Sequence, residues 1–327
     1  MPCRKSLFTA SLLAVAAVVL SLAGVQAQER QYRVAVLTPG ATLAPVLTAL
    51  KEGLAPLGFQ EGHNITFVVE ETSGDVSQLP ERAARLVALN PDLIFTVGTA
   101  PTAAAKRATT TLPIVFTYVS DPVKGGFVAS FASSGNNLVG ISNAAVPLAG
   151  KRLEVLHQIA PQVKKVLAIV AANESIALAS YQALQEPAHK LGIDIIRHDA
   201  TTPEGIQDVL QSVPQGSVDA IYLIPSNVVV ARIDLLIAKA RQDKLPLVVH
   251  ETDIVKKGAL VSYGSDMRAQ GLQAAKLVAK VLRGAKPSEL PIQMPEQLRL
   301  VVNLRTAREI GLTIPITVME RVDDIVE

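Results

Sequence analysis

"LIFTVGTAPTAAAKRATTTLPIVFTYV", residues 93–119, places two apolar runs on either side of an alanine-rich segment. Leu93–Gly98 and Ile114–Val119 are apolar at consecutive positions rather than alternately, which is the pattern of strands covered on both faces. The segment between them suits a helix starting at Pro101, because proline is tolerated in a first helical turn. A strand, a helix and a strand at this spacing form one parallel crossover unit, the building block of α/β folds.

The same alternation extends in both directions. Strand candidates precede it at Val34–Thr38 and Ile65–Glu70 and follow it at Val166–Ala171, Ile193–His198, Ala220–Pro225, Leu247–His250 and Leu260–Tyr263. Helical segments lie between them: Ala44–Leu57, the stretch from Asp75 to Asn90 with Asp75 as candidate N-cap, Lys151–Ile159, Ile176–Lys190, Gly205–Val213, Val228–Gln242 and Arg268–Leu282. About four strands end near Val119, and the pattern restarts at Val166 after an irregular stretch, Asp121–Ala149. The expectation is an α/β protein with two doubly wound, Rossmann-like lobes and parallel sheets, joined near Ser142–Pro147.

The first residues differ in kind. Arg4 and Lys5 precede an uncharged apolar run from Leu7 to about Ala23, followed by Val25 and Ala27 in an A-x-A-like arrangement. This describes a cleavable secretory signal peptide over residues 1–27, so the expected location is the periplasm, with no membrane anchor after cleavage. Cys3, the one cysteine of the chain, falls inside it. The remainder has neither disulfide nor thiolate metal site to rely on, and its length suits two packed cores. Without Arg4 and Lys5 the 31 basic residues become 29, equal to the 29 acidic ones, so no positive surplus draws nucleic acid.

In open α/β sheets ligands bind beyond the carboxyl ends of the strands. The residues there are Thr38, Gly40 and Thr42 after the first strand, and Gly98 and Thr99 after the third. Tyr118, Ser120 and Asp121 end the fourth. In the second half they are Asn173 and Ser175, Ser226 and Asn227, His250 and Glu251, and Tyr263. Hydroxyl, amide and carboxyl groups at such positions ordinarily cap helices and turns. Their recurrence after most strands of both halves marks a shared polar rim suited to a small ligand.

Catalytic signatures are absent: no G-x-S-x-G elbow, no phosphate-loop motif and no G-x-G-x-x-G turn. "HETDI" at His250 starts like a zinc-protease motif but lacks the second histidine, and the five histidines have no metal-like spacing. The chain is therefore not expected to be an enzyme, and no metal or cofactor is expected.

Several longer stretches carry a resemblance: "LKEGLAPLGFQEGHNI", "LPERAARLVALNPDLIFTVGTAPTAAAKRATTTLPIVFTYVSDPVKGGFVASFASSGNNLVGIS", "LAGKRLEVL", "GALVSYGSDM", "AAKLVAKVLRGAKPSELPIQMPEQLRLVVNLRTAREIGLTIP" and "ERVDDIVE". From about Val34 to Glu327 the chain resembles the ABC transporter substrate-binding protein family, periplasmic binding proteins of the type I, LacI/ribose-binding-like fold. The resemblance implies two lobes joined by a multi-crossing hinge. One lobe would comprise residues 28–143 with about 266–292, the other 144–265 with about 293–327. It implies a monomer that closes over a small polar or carboxylate-bearing ligand, such as an amino acid or aromatic compound. An inner-membrane permease with its ATPase would be the partner; a sensory receptor signalling to a membrane protein is the alternative use of the same clamshell. Asn227 stands where amino-acid-binding members tend to place an aspartate, which replaces an ionic contact by a neutral one.

Overall fold

The computed structural model describes residues 30–327 apart from Ala41, Thr42 and Gly74, and leaves the side chain of Asn227 undescribed. The expected signal peptide lies outside the described residues. Twelve strands form two sheets among them. The first sheet contains β1 (Tyr32–Thr38), β2 (Ile65–Glu71), β3 (Leu93–Val97), β4 (Ile114–Val119) and β5 (Leu138–Ser142), in the order β2-β1-β3-β4-β5 and parallel throughout. The second contains β6 (Lys165–Val170), β7 (Asp194–Asp199), β8 (Ala220–Tyr222), β9 (Leu247–Val249), β10 (Val261–Ser265), β11 (Leu298–Asn303) and β12 (Asp324–Val326), in the order β12-β11-β10-β9-β8-β6-β7.

Helices cover both sheets. Those between the first-sheet strands are α1 (Ala44–Leu54), α2 (Leu79–Ala88) and α3 (Thr99–Ala108). The second lobe contributes α4 (Ala149–Ile159), α5 (Ser175–Leu191), α6 (Pro203–Ser212), α7 (Asn227–Val230), α8 (Ile233–Gln242) and α9 (Thr252–Lys257). Then come α10 (Met267–Leu282), α11 (Leu304–Ile310) and α12 (Ile316–Met319). The apolar runs of β3, β4 and β5 are buried at every position, whereas β2 and β7, at the sheet edges, are partly exposed. Two layers of helix over a parallel sheet are what such runs require.

The chain passes between the lobes three times. It leaves β5 for α4, returns from β10 to α10, and goes back again ahead of β11. The middle passage brings α10 onto the first lobe, where Met267, Ala274, Leu277 and Val278 share a core with Val46 and Leu50 of α1. The two helices come close because Gly53 and Gly271 face each other's partner. A Cβ on Gly271 would overlap the carbonyl oxygen of Val46, and one on Gly53 would stand 2.7 Å from the Ala275 Cβ.

Several details depart from the sequence expectations, and β11 and β12 have no counterpart among the expected strands. Leu138–Ser142, inside the stretch expected to be irregular, is a buried strand. The helix after β3 starts at Thr99, two residues before Pro101. The helix expected over Val228–Gln242 is broken into α7 and α8, where three consecutive valines propagate a helix poorly. The second sheet is not wholly parallel, because β11 runs against β10, with Leu298 opposite Ser265. The reason is geometric: the chain re-enters the lobe at the end from which β10 left it, so the next strand runs away from that end.

Candidate functional site

The carboxyl ends of both sheets face a crevice of about 240 Å³ between the lobes. Thr99, Asp121 and Lys124 line it from the first lobe, and Ser175, Ile176 and Gln182 from the start of α5 in the second. A crevice of about 220 Å³ at the other end of the second sheet, beside Lys165 and His198, belongs to one lobe alone.

Several of the expected residues are held by local hydrogen bonds. Gly98 adopts φ +97° and donates its N–H to the Thr117 carbonyl at 2.9 Å, so that N–H is already engaged. The Thr99 hydroxyl accepts from the Ser120 N–H at 3.5 Å, tying the ends of β3 and β4 together. Asp121 Oδ1 accepts from the N–H groups of Val123 and Lys124, at 3.2 and 2.9 Å, which makes it a turn-forming carboxylate at the crevice wall. The Ser226 hydroxyl accepts from the Val229 N–H at 3.2 Å and so caps α7. Asn227 begins that helix. The carbonyl of buried Gly40 accepts from the Leu43 N–H. Thr42 lies outside the described residues. Asn173 is exposed ahead of α5, and Ser175, also exposed, begins it.

Two positions differ. Thr38 and His250 each bury a polar atom, Oγ1 and Nδ1, that has no hydrogen-bond partner among the described residues. A buried polar atom without a partner costs about 1–3 kcal/mol. His250 holds its other nitrogen, Nε2, 3.3 Å from Glu251 Oε1. Glu251 occupies the N-cap position of α9 but makes no capping bond with its side chain, leaving its carboxylate to His250.

Tyr118 is where the lobes meet electrically. It is buried, and its phenol is held well above the usual tyrosine value, first by burial and then by Glu251, Asp253 and Asp266, with Arg152 pulling the other way. Glu251, Asp253 and Arg152 belong to the second lobe, whereas Tyr118 lies in β4 and Asp266 caps α10, which packs on the first lobe. Charged groups of the second lobe, Glu251, Asp253 and Arg152, thus act on a phenol of the first.

Arg152 was not singled out by the sequence. It is 1% exposed on α4 and donates from Nε to the Tyr222 hydroxyl at 3.1 Å, from Nη1 to the Tyr263 carbonyl at 3.3 Å, and from Nη2 to the Ala145 carbonyl. Tyr222 in turn donates to the Ala149 carbonyl at 2.9 Å. Arg152 therefore joins the first passage between the lobes to the end of β10, and Tyr263 enters the site as a backbone acceptor. In the sequence it follows Lys151 and looks like half of a solvated basic pair. Gln270, also missed, is 1% exposed on α10. Its signal was present: it shares a helical stripe with Ala274 and Leu277, so a polar residue stood on the buried face. Among the described residues no group of three or more His, Cys, Asp or Glu could hold a metal ion.

The family described as ABC transporter substrate binding protein matches residues 33–326. The chain is 26% identical over 272 residues to a tyrosine-binding protein of Clostridioides difficile strain R20291, covering 82% of this chain and 78% of that one. It is 30% identical to a conserved domain protein from Vibrio cholerae O1 biovar El Tor, with a TM-score of 0.84 over 90% of this chain and 100% of the other. An ABC domain from Streptococcus pneumoniae in complex with L-Trp, 23% identical, has the same fold, with a TM-score of 0.84 over 90% of this chain and 100% of that one.

Proposed function

Since the chain belongs to the ABC transporter substrate-binding protein family, we propose that it is a periplasmic receptor for an amino acid, taken up between the two lobes and passed to an inner-membrane permease driven by its ATPase. Export would follow from the signal-like residues 1–27. Among the described residues no helix is long and apolar enough to cross a membrane. The moving bodies would be residues 28–143 with about 266–292 and residues 144–265 with about 293–327, a division supported by the packing of α10 on α1 and by the pairing of β11 with β10.

One feature supports the ligand class: the phenol of Tyr118, in the first lobe, is influenced by Glu251, Asp253 and Arg152 of the second and by Asp266 at the start of α10. An amino acid matches those charges with its ammonium group towards Glu251 and its carboxylate towards the start of α3, where Thr99 lines the crevice. An aromatic side chain would lie beside Tyr118, in keeping with the tyrosine and L-Trp named for the two relatives. Closure follows if the ligand touches both lobes only when they are together, since its differential affinity then shifts the population.

A thermal-shift series with L-tyrosine, L-tryptophan, the other amino acids, short carboxylates and small aromatics tests this. A ligand at a hundred times its Kd adds about 2.7 kcal/mol of stability, which raises Tm by several degrees. If no member of these classes raises Tm, the ligand chemistry is wrong.

A further inference from the structure

Tyr118 has φ +62°, the left-handed region, inside a strand. For a bulky residue that conformation costs about 1–3 kcal/mol and persists only where the surroundings impose it. The register between β4 and β5 slips at the same place. Phe116 pairs with Gly140 and Val119 with Ser142, so Thr117 and Tyr118 together face Ile141 alone. This is a bulge, a device that re-aims a side chain and leaves ladder groups unpaired. Gly140 is required beside it, because a Cβ there would overlap the Phe116 ring and carbonyl.

The groups left at the bulge are taken up by one side chain. Gln270 Oε1 accepts from the Thr117 hydroxyl at 2.8 Å and from the Tyr118 N–H at 3.1 Å, while Nε2 donates to the Ser142 carbonyl at 3.3 Å. The Gln270 N–H donates to the Asp266 carbonyl at 3.0 Å, and Asp266 caps the start of α10, directly after the second passage between the lobes. Ser142 ends β5 at the mouth of the first passage, where its N–H donates to Gln293 of the third at 2.9 Å. The amide of Gln270 therefore touches the residue with the strained backbone and the root of the hinge at once.

We infer that Gln270 is a positioning residue for ligand recognition: its amide holds Tyr118 in the left-handed conformation at the end of β4, and links that residue to the hinge. Ligand affinity then depends on a glutamine that lies within the first lobe and acts through Tyr118. The inference rests on the reading of the cleft as the ligand site, and its test separates the two.

The experiment uses the full chain with ring-labelled tyrosine. The chain has five tyrosines and no tryptophan, so the Tyr118 ring signal is assigned by its loss in Tyr118→Phe. Gln270→Met, which keeps the shape and removes the amide, should displace that signal without ligand present, whereas Gln270→Glu should retain most of it. With L-tyrosine or L-tryptophan as the probe, Gln270→Met should weaken binding about tenfold, a coupling typical of residues in contact. In a Tyr118→Gly background, where glycine adopts the backbone conformation unaided, the same substitution should change affinity less than about twofold. Thr117→Val removes one of the bonds that orient the amide and should displace the ring in smaller measure, which decides the matter if Gln270→Met does not fold. An unmoved Tyr118 signal in the folded variants, or an equal affinity loss in both backgrounds, overturns the inference. If neither amino acid binds the unaltered protein, the proposed ligand fails while the ring signal still judges Gln270.

Discussion

The phenol of Tyr118 links a single side chain to a solution property. Burial penalises its phenolate most, Glu251, Asp253 and Asp266 add to the effect, and Arg152 offsets part of it. Its folded-state value is therefore above the ordinary value of about 10 that the unfolded chain shows. The native protein keeps this proton at pH values where the unfolded chain has begun to lose it, so the unfolded state binds fewer protons and stability falls as pH rises. The contribution is complete below about pH 10 and is lost as pH climbs from there towards the folded value. Denaturant unfolding at a series of pH values should thus fall more steeply above about pH 10 for the unaltered protein than for Tyr118→Phe; equal slopes would show that the phenol is not held this way. Tyr222 is also raised by burial, with Arg152 opposing, but it is common to both proteins. At this scale the sequence identified Tyr118, Asp121, His250 and Glu251 as residues at strand ends, because strand ends are legible from apolar runs. It did not identify Arg152, whose burial depends on acceptors from Ala145, Tyr222 and Tyr263, well apart along the chain.

Among elements, the α1–α10 pair carries the clearest packing argument. Gly271 lies against the backbone of Val46 and Leu50, and a methyl group there would also stand 2.7 Å from the Ala49 Cβ. Backbone cannot yield as a side-chain tip can. Gly271→Ala should therefore destabilise the protein by about 1–3 kcal/mol through overpacking, although alanine recovers about 0.5–1 kcal/mol of helix propensity. A lower urea midpoint with an unchanged slope is the expected result, and an unchanged or higher midpoint would mean that the helices can part without cost. The elements that the sequence revealed are those with long local signatures, such as β3, β4 and α10. The missed ones are short or depend on a neighbour. Leu138–Ser142 follows a run of serine, glycine and asparagine that hides it, and it becomes a strand by lying against β4 and accepting Gln293 at its end. The bulge at Tyr118 has no local signature, since Thr117 and Tyr118 are ordinary strand residues.

At the level of the whole molecule, three passages join the core of the first lobe to the two clusters that flank the second sheet, and the crevice at the strand ends is shared between the lobes. A hinge built this way permits rotation of one lobe against the other with little change inside either. Small-angle scattering should show a smaller radius of gyration when a cleft ligand is added, and an unchanged radius with a ligand that demonstrably binds would place that ligand elsewhere. The sequence by itself determined the fold class: runs apolar at every position need cover on both faces, and the restart of the strand–helix pattern needs a second core. It also located residues that follow strands, because strand ends are legible from apolar runs. Only the tertiary structure decided that β11 runs against its sheet, that Gln270 braces the backbone of Tyr118, and that Arg152 lies buried beneath the cleft. Each depends on distant segments meeting, and the hydrogen-bond partners that make these placements stable exist only after the lobes have packed.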